Sequence, residues 1–249
     1  IPDAEPYFKT IAIAAKTDAA MLGLADYYVI AGRQSDALPI LRELTRKPET
    51  FASATMRMAA IDVALGERVP AQAKLRDVLE KNPKDMTARV FSARLLAVDG
   101  KRDEALALAT SVVKDDPESP QATDAYGVIG TVQGAQDRPE DAIKAFREVL
   151  KRDNASPFAL LALAQLLRAR GELAQAETHV TDLLKVAPKY PLARAELVRI
   201  LLLQGKTAKA NEEVSALKRD FPAAPAVLKL VAAQQLLAGQ IDAAYTTFS

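Results

Sequence analysis

Between Met86 and Ser119 the apolar side chains Ala88, Val90, Phe91, Ala93, Leu95, Leu96 and Ala97 return at helical spacing, and the run stops at Gly100. Glycine suits the left-handed residue that closes a helix and turns the chain. Asp103 and Glu104 then occupy the first turn of a second helix, where carboxylates favour the positive end of the helix dipole. Ala105, Leu108, Val112 and Val113 mark the buried face of that helix. Asp116-Pro117 ends it, because proline cannot continue a helix and restricts the residue before it. The pattern predicts helix, tight turn, helix, stop.

The same pattern recurs along the chain. Ala37, Ala71, Ala105, Ala142, Ala176, Ala210 and Ala244 follow one another at 34 residues, except for a step of 37 from Ala105 to Ala142. Gly32, Gly66, Gly100, Gly171, Gly205 and Gly239 each lie five residues ahead of one of these alanines. Seventeen residues separate Gly66 from Pro83, Gly100 from Pro117, Gly171 from Pro188 and Gly205 from Pro222. A fixed period of this length means stacked copies of one supersecondary unit rather than one globular core.

These residues resemble the tetratricopeptide repeat pattern, in which a small residue sits midway along the first helix, Gly ends it, Ala follows in the second helix and Pro closes the unit. The small mid-helix positions are Ala25, Ala59, Ala93, Ala164 and Ala232, with Val198 in their place once, and Ala20, Ala54, Ala88, Ala159 and Ala193 recur near the first-helix starts. The family's bulky aromatic near the first-helix start is mostly replaced, by Met21, Thr55, Arg89, Leu160, Arg194 and Leu228. Small residues serve interhelical distance, since helices approach to about 8–10 Å only where contact residues permit it. The resemblance covers essentially the whole chain. It implies an all-α fold, an α-solenoid of antiparallel helix hairpins stacked in a right-handed superhelix.

On this reading the chain is a single solenoid over 1–249. Residues 1–17 form the second helix of a preceding partial repeat, and 18–51, 52–85, 86–119, 120–156, 157–190 and 191–224 are repeats. Residues 225–249 form a truncated repeat, and 120–156 holds a three-residue insertion. Two registers fit that odd repeat. The preferred one puts Tyr126 at the aromatic position and Gly130 at the small one, with the insertion in the loop Glu118–Gln121. The other puts Gly127 at the small position and the insertion around Gln136. Gly127, Gly130 and Gly134 in one helix each lower its intrinsic stability by ~1 kcal/mol relative to Ala. The chain opens at Ile1 and stops at Ser249 in mid-repeat, so it is expected to be a fragment of a longer protein.

Composition narrows the function. Aromatic residues make up only 5% and Trp is absent, so the repeats must pack through Ala and Leu. Lys+Arg 33 against Asp+Glu 32 gives neither the basic excess nor the clustered stripe expected of a nucleic-acid binder. The absence of cysteine removes disulfides, thiol nucleophiles and thiolate metal sites. No apolar run approaches the ~20 residues that span a bilayer. His179, the single histidine, lacks the paired ligands of a metal site, and no strand precedes a Gly-rich phosphate loop. No catalytic residue, metal or cofactor is expected.

In the resembling family the first helices line a concave groove. Its positions project onto Leu22, Asp26, Met56, Ala60, Val90, Arg94, Gly127, Thr131, Phe158, Leu161, Gln165, Arg168, Leu192, Arg199 and Lys229. Asp26 is the one acid among them, while Arg94, Arg168, Arg199 and Lys229 are basic. A basic groove favours acidic peptides or carboxylate-bearing ligands, unless these cations are solvated or paired with acids of adjacent helices. The family's clamp for chaperone C-termini needs Lys and Asn on successive first helices. Asp26, Ala60 and Arg94 supply no Asn, so that ligand is not expected. The expected function is a non-catalytic protein–protein interaction scaffold that binds a peptide segment or partner protein. The groove contacts would be Met56, Val90, Arg94, Leu161, Gln165, Arg168, Leu192, Arg199 and Lys229. The alternatives are a spacer or bridge in a bacterial envelope assembly such as polysaccharide export, and self-association through the uncapped ends. The Ala/Leu/Arg-rich sequence suggests a bacterial source, cytoplasmic or periplasmic.

Overall fold

In the computed structural model the described residues are 4–222, 225–237 and 241–242. They form helices and no strand, which is the all-α class expected from the sequence. In chain order the helices are α1 Glu5–Ala15, α2 Asp18–Ile30, α3 Gln34–Leu44, α4 Pro48–Ala64, α5 Arg68–Lys81, α6 Met86–Val98 and α7 Arg102–Asp115. They continue as α8 Pro120–Ala135, α9 Pro139–Arg152, α10 Pro157–Ala169, α11 Leu173–Val186, α12 Pro191–Leu203, α13 Thr207–Asp220 and α14 Pro225–Leu237. Packing divides the chain into two compact units, residues 1–128 and 129–249, and the division falls within α8.

In the first unit α2 packs on α3, α4 on α5 and α6 on α7, and each second helix also meets the next first helix, α3 with α4 and α5 with α6. The second unit repeats the scheme with α10 on α11, α12 on α13, and α11 against α12. This is the hairpin stack of an α-solenoid. Six alanines of the 34-residue beat, Ala37, Ala71, Ala105, Ala142, Ala176 and Ala210, have no exposed surface. The seventh, Ala244, lies outside the described residues, as does Gly239. Ala25, Ala59, Ala93, Ala164, Val198 and Ala232 are equally buried on the first helices. The two series of small residues are therefore where the helices approach one another.

The turn between the helices explains the glycines. At Gly100, φ is +77°, and the following Lys101 N–H donates 2.9 Å to the Leu96 carbonyl, closing the helix in a Schellman motif. The odd repeat makes the same turn without glycine. Asp137 takes φ +58°, and the Arg138 N–H donates 2.9 Å to Gln133. Asp137 lies five residues ahead of Ala142 and is therefore the missing beat of the glycine series.

The extra residues lie at neither of the two places weighed from the sequence. Helix α8 opens three residues after Pro117, just as α6 opens three after Pro83 and α12 three after Pro188, so the loop at 118–121 has ordinary length. The turn after α8 is ordinary as well. The extra residues instead lengthen the helix, which has 16 residues where α6, α10 and α12 have 13. Ala122 stands in register with Pro117 and Ala125 in register with Asp137, and both are fully buried. Three residues are nearly one helical turn, so α8 keeps both registers, one at each end.

Arginine replaces the family's aromatic in two repeats. Arg89 is buried in α6, where its Nη2 lies 2.8 Å from Asp115 at the end of α7 and its Nη1 donates to Ser111 Oγ. Arg194 does the same between α12 and the end of α13, 3.1 Å from Asp220. An ion pair 26 residues apart thus fastens the first helix to the close of the second, where a ring would otherwise fill space.

Candidate partner-binding face

The projected groove residues fall in both units, and each unit has its own character. In the first, charges pair one to one between successive first helices. Asp26 on α2 accepts two bonds from Arg57 on α4, at 2.7 and 2.9 Å. Arg94 on α6 donates to Asp124 on α8 at 2.6 Å. Ala60 is exposed, whereas Leu22 and Met56 are half-buried, Met56 packing against the cluster of Ala59, Ala71, Leu75 and Leu95.

Val90, expected in the groove, is buried and belongs to the packing. The reason lies on both sides of it along α6. Thr87 receives a bond from Gln121 and Arg94 reaches Asp124, so α8 covers the strip between them. Gly127 is likewise buried. On this face of the first unit Arg57 and Arg94 are thus each matched by one acid.

The second unit differs. Arg168 Nε on α10 donates to Glu196 Oε1 on α12, and Arg199 Nη1, one turn along α12, donates 3.0 Å to Glu196 Oε2. The Glu196 side chain has no exposed surface, while Arg168 and Arg199 remain 28% and 45% exposed. Burial of a carboxylate is tolerated because both its oxygens receive charge-assisted hydrogen bonds. Two guanidiniums sharing one carboxylate leave a surplus positive charge at the surface. On the same two helices Phe158 and Leu192 are exposed, Leu161 is half-buried and Gln165 is exposed, and Lys229 is exposed on α14. On α12 the positions 192, 196, 199 and 203 share one helical face. Thr131, the remaining position projected in this unit, is exposed on α8.

The sequence projection found the arginines and missed the acids that hold them, Asp124 and Glu196. A signal was present. Opposite charges 28 to 31 residues apart, such as Asp26 with Arg57, Arg94 with Asp124 and Arg168 with Glu196, join successive first helices. His179 on α11 is half-buried, and desolvation holds its imidazole below the ordinary histidine value, opposed by Asp182. No helix among the described residues is long and apolar enough to cross a membrane.

Comparison with known proteins finds the same repeat fold. Models of the tetratricopeptide repeat match residues 61–120, 135–189 and 167–233, more than half of the chain. Cellulose synthase 1 operon protein C of Komagataeibacter xylinus is 25% identical over 150 residues, which are 59% of this chain and 11% of that protein. The chain thus spans about a tenth of the length of this curated relative. PilF of Pseudomonas aeruginosa superposes with a TM-score of 0.75 at 18% identity, over 86% of this chain and 96% of its own. YrrB, described as a tetratricopeptide repeat protein with an unusual peptide-binding site, superposes with a TM-score of 0.57 at 16% identity, over 76% of this chain and 96% of its own.

Proposed function

This chain belongs to the tetratricopeptide repeat family, and from that premise we propose that it is a non-catalytic scaffold holding a peptide segment of a partner protein against the first-helix face of its second unit. One observation carries the reading. Exposed Phe158 and Leu192 lie on the helices that also carry Arg168 and Arg199, and exposed apolar side chains on the same helices as organised cations offer a protein ligand both affinity and orientation. YrrB, whose name records a peptide-binding site, lends support at the level of fold.

The test is selection from a randomised dodecapeptide library, followed by fluorescence anisotropy with the selected peptides. Leu192→Asp should abolish binding. Val186→Asp, at an equally exposed apolar position on a second helix, should leave it intact. Equal binding by wild type and the Leu192 variant would sink the proposal.

A second reading, a bridge in an envelope assembly for polysaccharide export, draws support from the likeness to cellulose synthase operon protein C. Fractionation of cells making the complete gene product decides it, and a wholly cytoplasmic protein removes it.

A further inference from the structure

We infer that the second unit recognises an internal acidic residue of an extended peptide, flanked on both sides by apolar residues, through a two-arginine fork that buried Glu196 holds in place. The inference rests on the partner-binding reading above and names the chemistry of the ligand.

Glu196 is the key to the geometry. Each guanidinium offers five N–H donors in a rigid plane. Glu196 consumes the Arg168 Nε and one Arg199 Nη, on opposite oxygens of one carboxylate. The remaining donors of both side chains belong to groups still partly open to solvent. Brought together without Glu196, two cations would repel one another. With it they form a preorganised pair carrying one net positive charge, and the side chain that complements such a pair is a second carboxylate, bound through parallel N–H···O bonds. Among the described residues the first-helix face of the first unit is arranged differently. There Arg57 and Arg94 are each matched by a single acid.

The neighbourhood selects an internal acid rather than a chain end. Leu192 lies on one side of Arg199 along α12, and Leu203, 59% exposed, lies one turn beyond it on the same helical face. A ligand that ended at the arginines would leave Leu203 uncovered. A ligand that continues past them places apolar side chains on both. Glu196 acts here as a positioning residue, and Arg168 and Arg199 as the contacts.

The experiment uses the whole chain and two randomised dodecapeptide libraries, one with the random segment internal and one with free C-termini. Wild type should enrich Asp or Glu at one position with apolar neighbours, in the internal library. Replacing that acid by Gln in the selected peptide should weaken binding ~10-fold or more, the ordinary worth of a charged hydrogen-bonded pair. Arg199→Gln leaves Glu196 held by Arg168. It should weaken the acidic peptide by a similar factor and leave the Gln peptide unaffected. Because the peptide-side change does not touch the protein, it stands even if an arginine variant folds poorly. Selection of Leu192-dependent peptides without an acid overturns this inference while sparing the partner-binding reading. So does an acid preference that survives Arg199→Gln together with Arg168→Gln, or enrichment confined to free C-termini. Failure of both libraries to enrich any peptide overturns the two together.

Discussion

Gly130→Ala should destabilise the protein although it removes a glycine from the middle of a helix. A β-carbon built at Gly130 would stand 2.8, 2.9 and 3.0 Å from Cζ, Cε2 and Cδ2 of Phe146. Favourable carbon–carbon separation is about 3.5–4.0 Å, so the ring must move by roughly half an ångström or more. It has little room to do so. Phe146 is buried, and its ring stands edge-on against Phe158 with centroids 5.5 Å apart. Helix propensity favours alanine by about 1 kcal/mol, while overpacking costs about 1–3 kcal/mol. The expected net loss is therefore ~1 kcal/mol. Other repeats show the compensating choice. Ala25 shares a core with Leu41 and Ala59 with Leu75, the residues four beyond each beat alanine, where the odd repeat has Phe146. Gly130→Ala with Phe146→Leu should then restore the common pairing and return stability to within about 0.5 kcal/mol of wild type, so the double variant exceeds Gly130→Ala alone. Urea unfolding followed by far-ultraviolet circular dichroism for wild type, both single variants and the double closes the cycle. Strict additivity of the two substitutions, or a Gly130→Ala protein as stable as wild type, would refute the size-matching argument.

Three further outcomes are expected. Ala105→Leu, at a position with no exposed surface, should lower stability by ~1–3 kcal/mol, whereas Ala107→Leu on the open face of the same helix should stay within about 0.5 kcal/mol, both read from urea midpoints. Asp137→Gly should raise stability by ~1 kcal/mol by relieving a left-handed side chain, and Gly100→Ala should lower it by a similar amount; unchanged thermal midpoints in both would contradict the turn assignment. Burial depresses the folded-state value of His179, so the stability it contributes is present above pH 6.5 and is lost as pH falls through the folded value. His179→Gln should flatten the fall in stability below pH 6.5, and an identical slope in the variant would show that the fall has another source.

The parts of the fold that depend on local sequence were legible in advance. The buried alanines, the glycine turns and the closing prolines each report a constraint felt by one residue and its nearest helix. What failed was the place of the insertion, where two local constraints compete. Ala122 fits the spacing from Pro117 and Ala125 fits the spacing from the turn at Asp137, and each is correct for its own end of α8. Sequence spacing offers no way to see that a helix can satisfy both by growing a turn. Asp137 stands where the other repeats have glycine, and aspartate is among the few residues that tolerate its positive φ. On the candidate face, Arg168 and Arg199 were recognised by charge, but their meaning was not. Glu196 lies on a different helix from Arg168, and the juxtaposition exists only after α10 and α12 pack. Val90 failed for a related reason, since its burial depends on α8 lying across α6.

Phe158 and Phe146 also have a consequence for motion on the nuclear magnetic resonance timescale. Phe158 lies half in solvent, its ring touches buried Phe146, and Phe146 in turn abuts the bare backbone at Gly130. A phenylalanine ring flips only when its neighbours momentarily withdraw, and Phe158, more than half exposed, is a neighbour that can swing out into solvent for that moment. Flip rates of Phe146 should therefore respond to the freedom of Phe158. A ligand seated on Phe158 should slow them until the two sides of the Phe146 ring give separate resonances, so that occupancy of the surface can be timed from inside the helix pair.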